Sequence, residues 1–213
     1  MDVNGRMELA SRHLVNLEYL ACEAVCLEVL REVRAASDWA TLARVLLPLQ
    51  ESRRQRRLFA VEAGVHVLAE PSNAPSLSKG AAVVLSGDAA TLEARARQAR
   101  QYVEVLRAEP DAAGVRVAPA TGGWSATVPA PAFPLAPGRV YDEATAGHWY
   151  LAAGEAVGDV VLAEAERWPV SADTIDRLLL ALDVVGDHEL LHQRVAAVAS
   201  ELGRLTLNAE PLT

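Results

Sequence analysis

Apolar residues in this chain follow two different periods, and that contrast limits the possible folds more than any other property. Leu14, Leu17, Leu20, Ala21, Ala24, Leu27 and Leu30 recur at three- and four-residue steps, which places them on one broad stripe of a helix. Ala81 to Leu85 is instead a continuous apolar run closed by Ser86-Gly87-Asp88, the pattern of a buried strand turning into a helix. A chain that uses both periods in separate blocks folds as an α+β protein, here a predominantly helical one.

The first block, 1–64, predicts a helix from Met7 to about Ala36 and a second after the N-cap candidates Ser37 and Asp38. Pro48 either kinks that second helix or opens a new one, and Gly64 supplies the stop. Antiparallel N-terminal helices are the expectation. The second block, 65–128, reads as a small α/β unit of strand, helix, strand and strand. Its elements are a strand at Ala81–Leu85, a helix over Ala89–Ala108, and strands at Val115–Ala118 and Trp124–Val128 around a Thr121-Gly122-Gly123 turn. Residues 129–138 read as a proline-rich, semi-rigid linker. The third block, 139–213, is helical again, with candidate helices over Gly147–Arg167, Asp173–Val185 and His188–Leu202. Asp187 is expected to cap the last of them.

Composition narrows the function classes. With 213 residues, 51% of them hydrophobic, and a net charge of −8 from 28 acidic and 20 basic side chains, the chain is long enough for a substantial core and too apolar to be disordered. The acidic balance argues against a general nucleic-acid binder. All of the surplus lies in 139–213, which holds thirteen acidic and five basic residues. That points to a protein partner with a basic surface. Cys22 and Cys26 form no disulfide framework. Met1 to Arg6 lacks the basic-then-apolar order of a signal peptide, and the longest uncharged run, 117–138, contains five prolines and three glycines. No membrane span and a cytoplasmic location are therefore expected.

One pentapeptide has catalytic form. His188-Glu189-Leu190-Leu191-His192 matches H-E-x-x-H, in which residues i and i+4 share a helical face and bring two imidazoles to one zinc, with the intervening Glu as base for the bound water. A third ligand is required, and Glu210, eighteen residues after His192, is the candidate. On this alternative the protein is a zinc-dependent hydrolase with His188, His192 and Glu210 as ligands and Glu189 as general base.

The same letters fit a helix junction. Ala181-Leu182-Asp183-Val184-Val185-Gly186-Asp187-His188-Glu189-Leu190-Leu191-His192, continuing to Glu201-Leu202-Gly203-Arg204, resembles the junction between tetratricopeptide-type repeats. There an Ala-Leu-Asp helix end and turn lead into a helix closing on Leu-Gly-Arg. The resemblance covers roughly 25 residues and implies a C-terminal helix–turn–helix bundle with weak tetratricopeptide-like character.

Other features have modest readings. Arg53-Arg54-Gln55-Arg56-Arg57 fans around a helix, so a solvated or salt-bridged face is favoured over a nucleic-acid site. Ser86-Gly87-Asp88 reads as a cap, and Cys22 with Cys26 as buried apolar residues. Gly154 and Gly158 permit close helix approach, and Trp149 with Tyr150 supplies either core or a partner-binding anchor. The favoured function is a non-enzymatic interaction or regulatory protein built on helix pairs, without a cofactor, and open to homo-oligomer formation. Zinc hydrolysis is the first alternative. A small-ligand or nucleotide module in the central α/β unit is the second.

Overall fold

The computed structural model describes residues 1–74 and 77–209, with side chains through 206. It is 59% helical, with seven α-helices and a mixed six-stranded sheet among the described residues, so the protein is a predominantly helical α+β fold. None of the described helices is long and apolar enough to cross a membrane. The chain divides into two compact units, 1–55 with 162–213, and 56–161.

The first unit is helical. Its elements are α1 (Val3–Val15), α2 (Tyr19–Ala35), the first part of α3 (Trp39–Glu62), the end of α5 (His148–Ala165), α6 (Ala172–Val184) and α7 (Glu189–Ala209). Helix α1 packs on α2 and α6 on α7. The core includes Cys22, Cys26, Val29, Val33, Leu42, Val45, Leu49, Ile175, Leu178, Leu182, Leu191 and Val195.

The single helix expected over Met7–Ala36 is in fact two. Leu17 adopts φ +61°, its N–H donates to the Leu14 carbonyl, and the Glu18 N–H reaches back to the His13 carbonyl. That is a Schellman ending, which usually uses glycine. Ser37, at φ +54°, ends α2 the same way, with Ser37 and Asp38 donating to Arg34 and Val33. Ser37 thus belongs to a helix end, and Asp38 is the cap of α3, accepting from the Thr41 N–H at 3.0 Å. Helix α3 runs through Pro48 without breaking, and the Cys22 thiol donates to the Pro48 carbonyl at 3.7 Å.

In the second unit the sheet order is β5-β4-β3-β2-β1-β6. Strands β1 (Val65–Leu68), β2 (Lys79–Val84) and β3 (Tyr102–Asp111) are parallel neighbours, while β4 (Gly114–Pro119), β5 (Ala126–Val128) and β6 (Val140–Tyr141) pair antiparallel. Helix α4 (Ala89–Gln98) connects β2 to β3. Ala89, Leu92 and Ala96 of α4 form a core with Leu68, Ala82, Val84, Val103 and Val105.

The helix expected through Ala108 stops at Gln98 because Arg100 takes φ +52° in a third Schellman ending. Residues 102–108 are strand. The cap at Asp88 is present, accepting from the Ala90 N–H at 3.1 Å. The proline-rich segment lies within this second unit. Phe133 is buried, 4.6 Å from the Tyr141 ring, and the Tyr141 hydroxyl donates to the Pro134 carbonyl at 2.6 Å.

A non-glycine residue in the left-handed region costs about 1 kcal/mol. Leu17 is 60% exposed, so its side chain adds little burial. Leu17→Gly is therefore expected to raise stability by roughly 1 kcal/mol, measured by urea denaturation. An unchanged or lower midpoint would show that Leu17 contributes packing that its exposure hides.

Candidate functional site

Helix α3 buries one face, and the arginine run enters it. Leu42, Leu46, Leu49, Arg53, Arg57 and Ala60 succeed one another at helical spacing and are all buried. Of the solvated or salt-bridged surface expected for this run, the ion pairs are present, but two of the arginines are buried rather than on the surface. Arg54 is exposed and Arg56 pairs with Glu104 at 2.7 Å, but Arg53 and Arg57 point inward.

Arg53 is 6% exposed. Its Nε donates to Glu23 Oε1 at 2.8 Å, its Nη1 to the Leu182 carbonyl at 2.7 Å, and its Nη2 lies 3.4 Å from Asp183 Oδ1. One guanidinium thereby ties α2, α3 and the last turn of α6. A cation at a helix C-terminus also complements its free carbonyls. Cys22 and Cys26 sit in the same core. Cys26, hydrogen-bonded to Cys22 and buried, has its thiol pushed above the ordinary value, which leaves it unreactive.

The H-E-x-x-H residues sit where α6 hands over to α7. His188, not Asp187, caps α7: its Nδ1 accepts from the Leu191 N–H at 3.2 Å. The His192 Nε2 donates to the Gly186 carbonyl at 2.8 Å, and its buried Nδ1 has no partner among the described residues. Both imidazoles are 1% exposed, whereas Glu189 is exposed and accepts from Gln193 Nε2 at 3.0 Å. Glu210 lies outside the described residues. Each ring thus commits one nitrogen to the backbone of the helix junction, and the would-be base faces solvent. This donor set does not fit a hydrolytic zinc centre, which needs the Glu beside the metal-bound water.

His192 is held well below the ordinary histidine range, to about 4. Burial is the main cause, the Gly186 carbonyl opposes it, and the Arg53 charge adds to it.

The aromatic pair divides. Tyr150 is 1% exposed with the Arg57 guanidinium 5.7 Å from its ring centre, so it is core and offers no anchor to a partner. Gly154 makes room for that guanidinium, since a Cβ there would fall 1.5 Å from Arg57 Nη2. Trp149 is half-buried, donating to the Pro129 carbonyl at 3.0 Å and meeting Phe133 edge-on.

Two concavities among the described residues are further candidates. In the helical unit, a cavity of about 360 Å³ opens among α2, α3 and α6. It is lined by Leu27, Leu30, Leu49, Leu179 and Leu182 with Arg31, Arg34, Arg53 and Asp183. In the other unit, a smaller space of about 200 Å³ lies over β3 and β4, with Arg107, Arg116 and Trp124 among its walls. Both of these arginines are engaged, Arg107 with the Pro119 carbonyl at 3.1 Å and Arg116 with Asp111 at 3.2 Å. No family model, curated protein or solved structure matches this chain.

The buried polar groups set two expected outcomes. In the unfolded chain His192 titrates near 6.5, and in the folded protein near 4. Stability is therefore full above pH 6.5 and declines as pH falls toward 4, where the unfolded chain binds the proton first. The whole effect is roughly 3 kcal/mol. Subtracting the His192→Leu stability profile from that of wild type is expected to isolate this slope, and parallel profiles would contradict it. Glu23→Ala leaves the Arg53 guanidinium buried without its main counter-charge and is expected to cost about 3 kcal/mol by chemical denaturation. A loss below about 1 kcal/mol, the scale of an exposed pair, would show that the ion pair is dispensable.

Proposed function

We propose that this is a non-enzymatic interaction protein whose partner surface is the outer face of α6 and the start of α7. The observation that carries this reading is Leu180, 65% exposed at the centre of the polar face of α6. Ile175, Leu178, Ala181 and Leu182 bury the other face of that helix. Around Leu180 stand Asp173, Asp176, Arg177 and Asp183, and Glu189 and Leu190 are exposed at the start of α7. Apolar side chains inside a charged rim are the arrangement of a partner-binding patch. The helical unit carries seventeen acidic and eleven basic residues, so the partner contributes a basic surface, and long-range attraction would speed the encounter. The helix-pair form of α6 and α7 suits such a role and needs no catalytic group.

Affinity capture with the full chain, compared with a Leu180→Ser/Leu190→Ser variant, tests this. The expected result is a partner, identified by mass spectrometry and then purified, that binds wild type directly. Its affinity should fall about tenfold or more with the variant and should weaken as salt is raised. Identical capture by wild type and variant would overturn the reading.

A further inference from the structure

The apolar cavity of the helical unit meets that partner surface only at Asp183, and its chemistry is specific. Its floor is leucine throughout, with Leu30 at 7%, Leu49 at 1% and Leu182 at 1% exposure. A partner helix, about 10 Å across, is too wide for a cavity of about 360 Å³, whereas a single hydrocarbon chain fits along the partly exposed Leu27 and Leu179. The volume of about 360 Å³ falls in the range of small-molecule clefts, roughly 300–1,000 Å³. No aromatic side chain is among its lining residues, so nothing there stacks on a planar ring.

The three arginines at the cavity differ in what they hold. Arg34 is gripped by both carboxylate oxygens of Asp176, at 2.6 and 2.7 Å. Arg53 is consumed by Glu23 and the Leu182 carbonyl. Arg31 is exposed and donates its Nε only to the Leu27 carbonyl of its own helix, at 3.2 Å. It meets no carboxylate among the described residues. Its outer nitrogens form an uncommitted fork at the edge of a leucine-lined cavity, and a guanidinium fork matches a carboxylate. Asp183, on the same lining and 58% exposed in its side chain, disfavours a dianionic head such as a phosphate monoester.

We infer that this cavity is a binding site for an unbranched amphipathic monocarboxylate, its chain on the leucine floor and its head on Arg31. The ligand is a free acyl carboxylate, and the site shares only the rim residue Asp183 with the partner surface on α6 and α7.

The test is a calorimetric titration of the full chain with straight-chain monocarboxylates of six to fourteen carbons, below their aggregation concentrations, alongside the matching alcohols. Affinity is expected to rise about fourfold per added methylene until the cavity is filled, then level off. Arg31→Gln is expected to weaken the carboxylates at least tenfold while leaving the alcohols unchanged. Leu179→Trp is expected to abolish binding of both, with circular dichroism unchanged. Should that variant fail to fold, Leu27→Phe, which fills the cavity from α2, takes its place. An affinity that does not depend on chain length would overturn the inference. So would an equal effect of Arg31→Gln on acid and alcohol, undiminished binding in the filled variant, or ligand-driven self-association in light scattering. The Leu180→Ser/Leu190→Ser variant should bind the carboxylate as wild type does, which keeps this outcome separate from that of the partner surface.

Discussion

The helical unit depends on a guanidinium in its core. Arg53 reaches Glu23 on α2, the carbonyl of Leu182 at the end of α6, and the rim residue Asp183. Its side chain also constrains the turn between α6 and α7. At Gly186 a Cβ would lie 3.2 Å from Arg53 Cδ, so a larger residue there would crowd the arginine and push it by a few tenths of an ångström. The Gly186 carbonyl then receives the His192 Nε2. Arg53 thus ties α2, α3 and the end of α6 by polar contacts, and His192 ties the α6–α7 turn to α7.

Such a core is expensive to desolvate, and a well-packed apolar substitute can be equally stable. What the ion pair supplies is definition. A leucine at position 53 would offer no directional contact to α2 or α6. A guanidinium that needs the Glu23 carboxylate and the Leu182 carbonyl together is satisfied in one arrangement. The same pairing decides the chemistry of the cavity beside it. Glu23 and Asp176 neutralise Arg53 and Arg34, so of three cations on an apolar wall only Arg31 keeps its fork open to a ligand.

The fold class was legible because the hydrophobic periods are strong: the β2 run Ala81–Val84 and the helix expected over Asp173–Val185 appear in the sequence as they do in space. What was hidden has a common physical cause. Three helix ends, at Leu17, Ser37 and Arg100, use the left-handed conformation without the glycine that normally marks it. Two helices therefore read as one, and the first seven residues of β3 read as helix. The buried arginines were hidden by the habit of reading charge as surface. The signal was present, since positions 53 and 57 continue the spacing of Leu42, Leu46 and Leu49, but nothing in the residue type announces it. The cavity was invisible for another reason: its lining comes from α2, α3 and α6, and no local pattern records that meeting.

The histidines show how one motif serves two readings. H-E-x-x-H needs i and i+4 imidazoles on one face with the Glu beside them, and a helix N-terminus after a tight turn needs a cap acceptor, a first-turn acid and a buried residue one turn on. His188, Glu189 and His192 satisfy the second description atom by atom: Nδ1 on the Leu191 amide, a carboxylate in solvent at the positive end of α7, and Nε2 on the Gly186 carbonyl. The cost is carried by His192, whose buried Nδ1 has no partner among the described residues and whose ring stays neutral beside the Arg53 charge. That neutrality follows from burial, and a proton on the ring would place a second buried cation beside Arg53. The histidine is thereby bound to the same ion pair that organises the helices, and its acidity is a property of the fold.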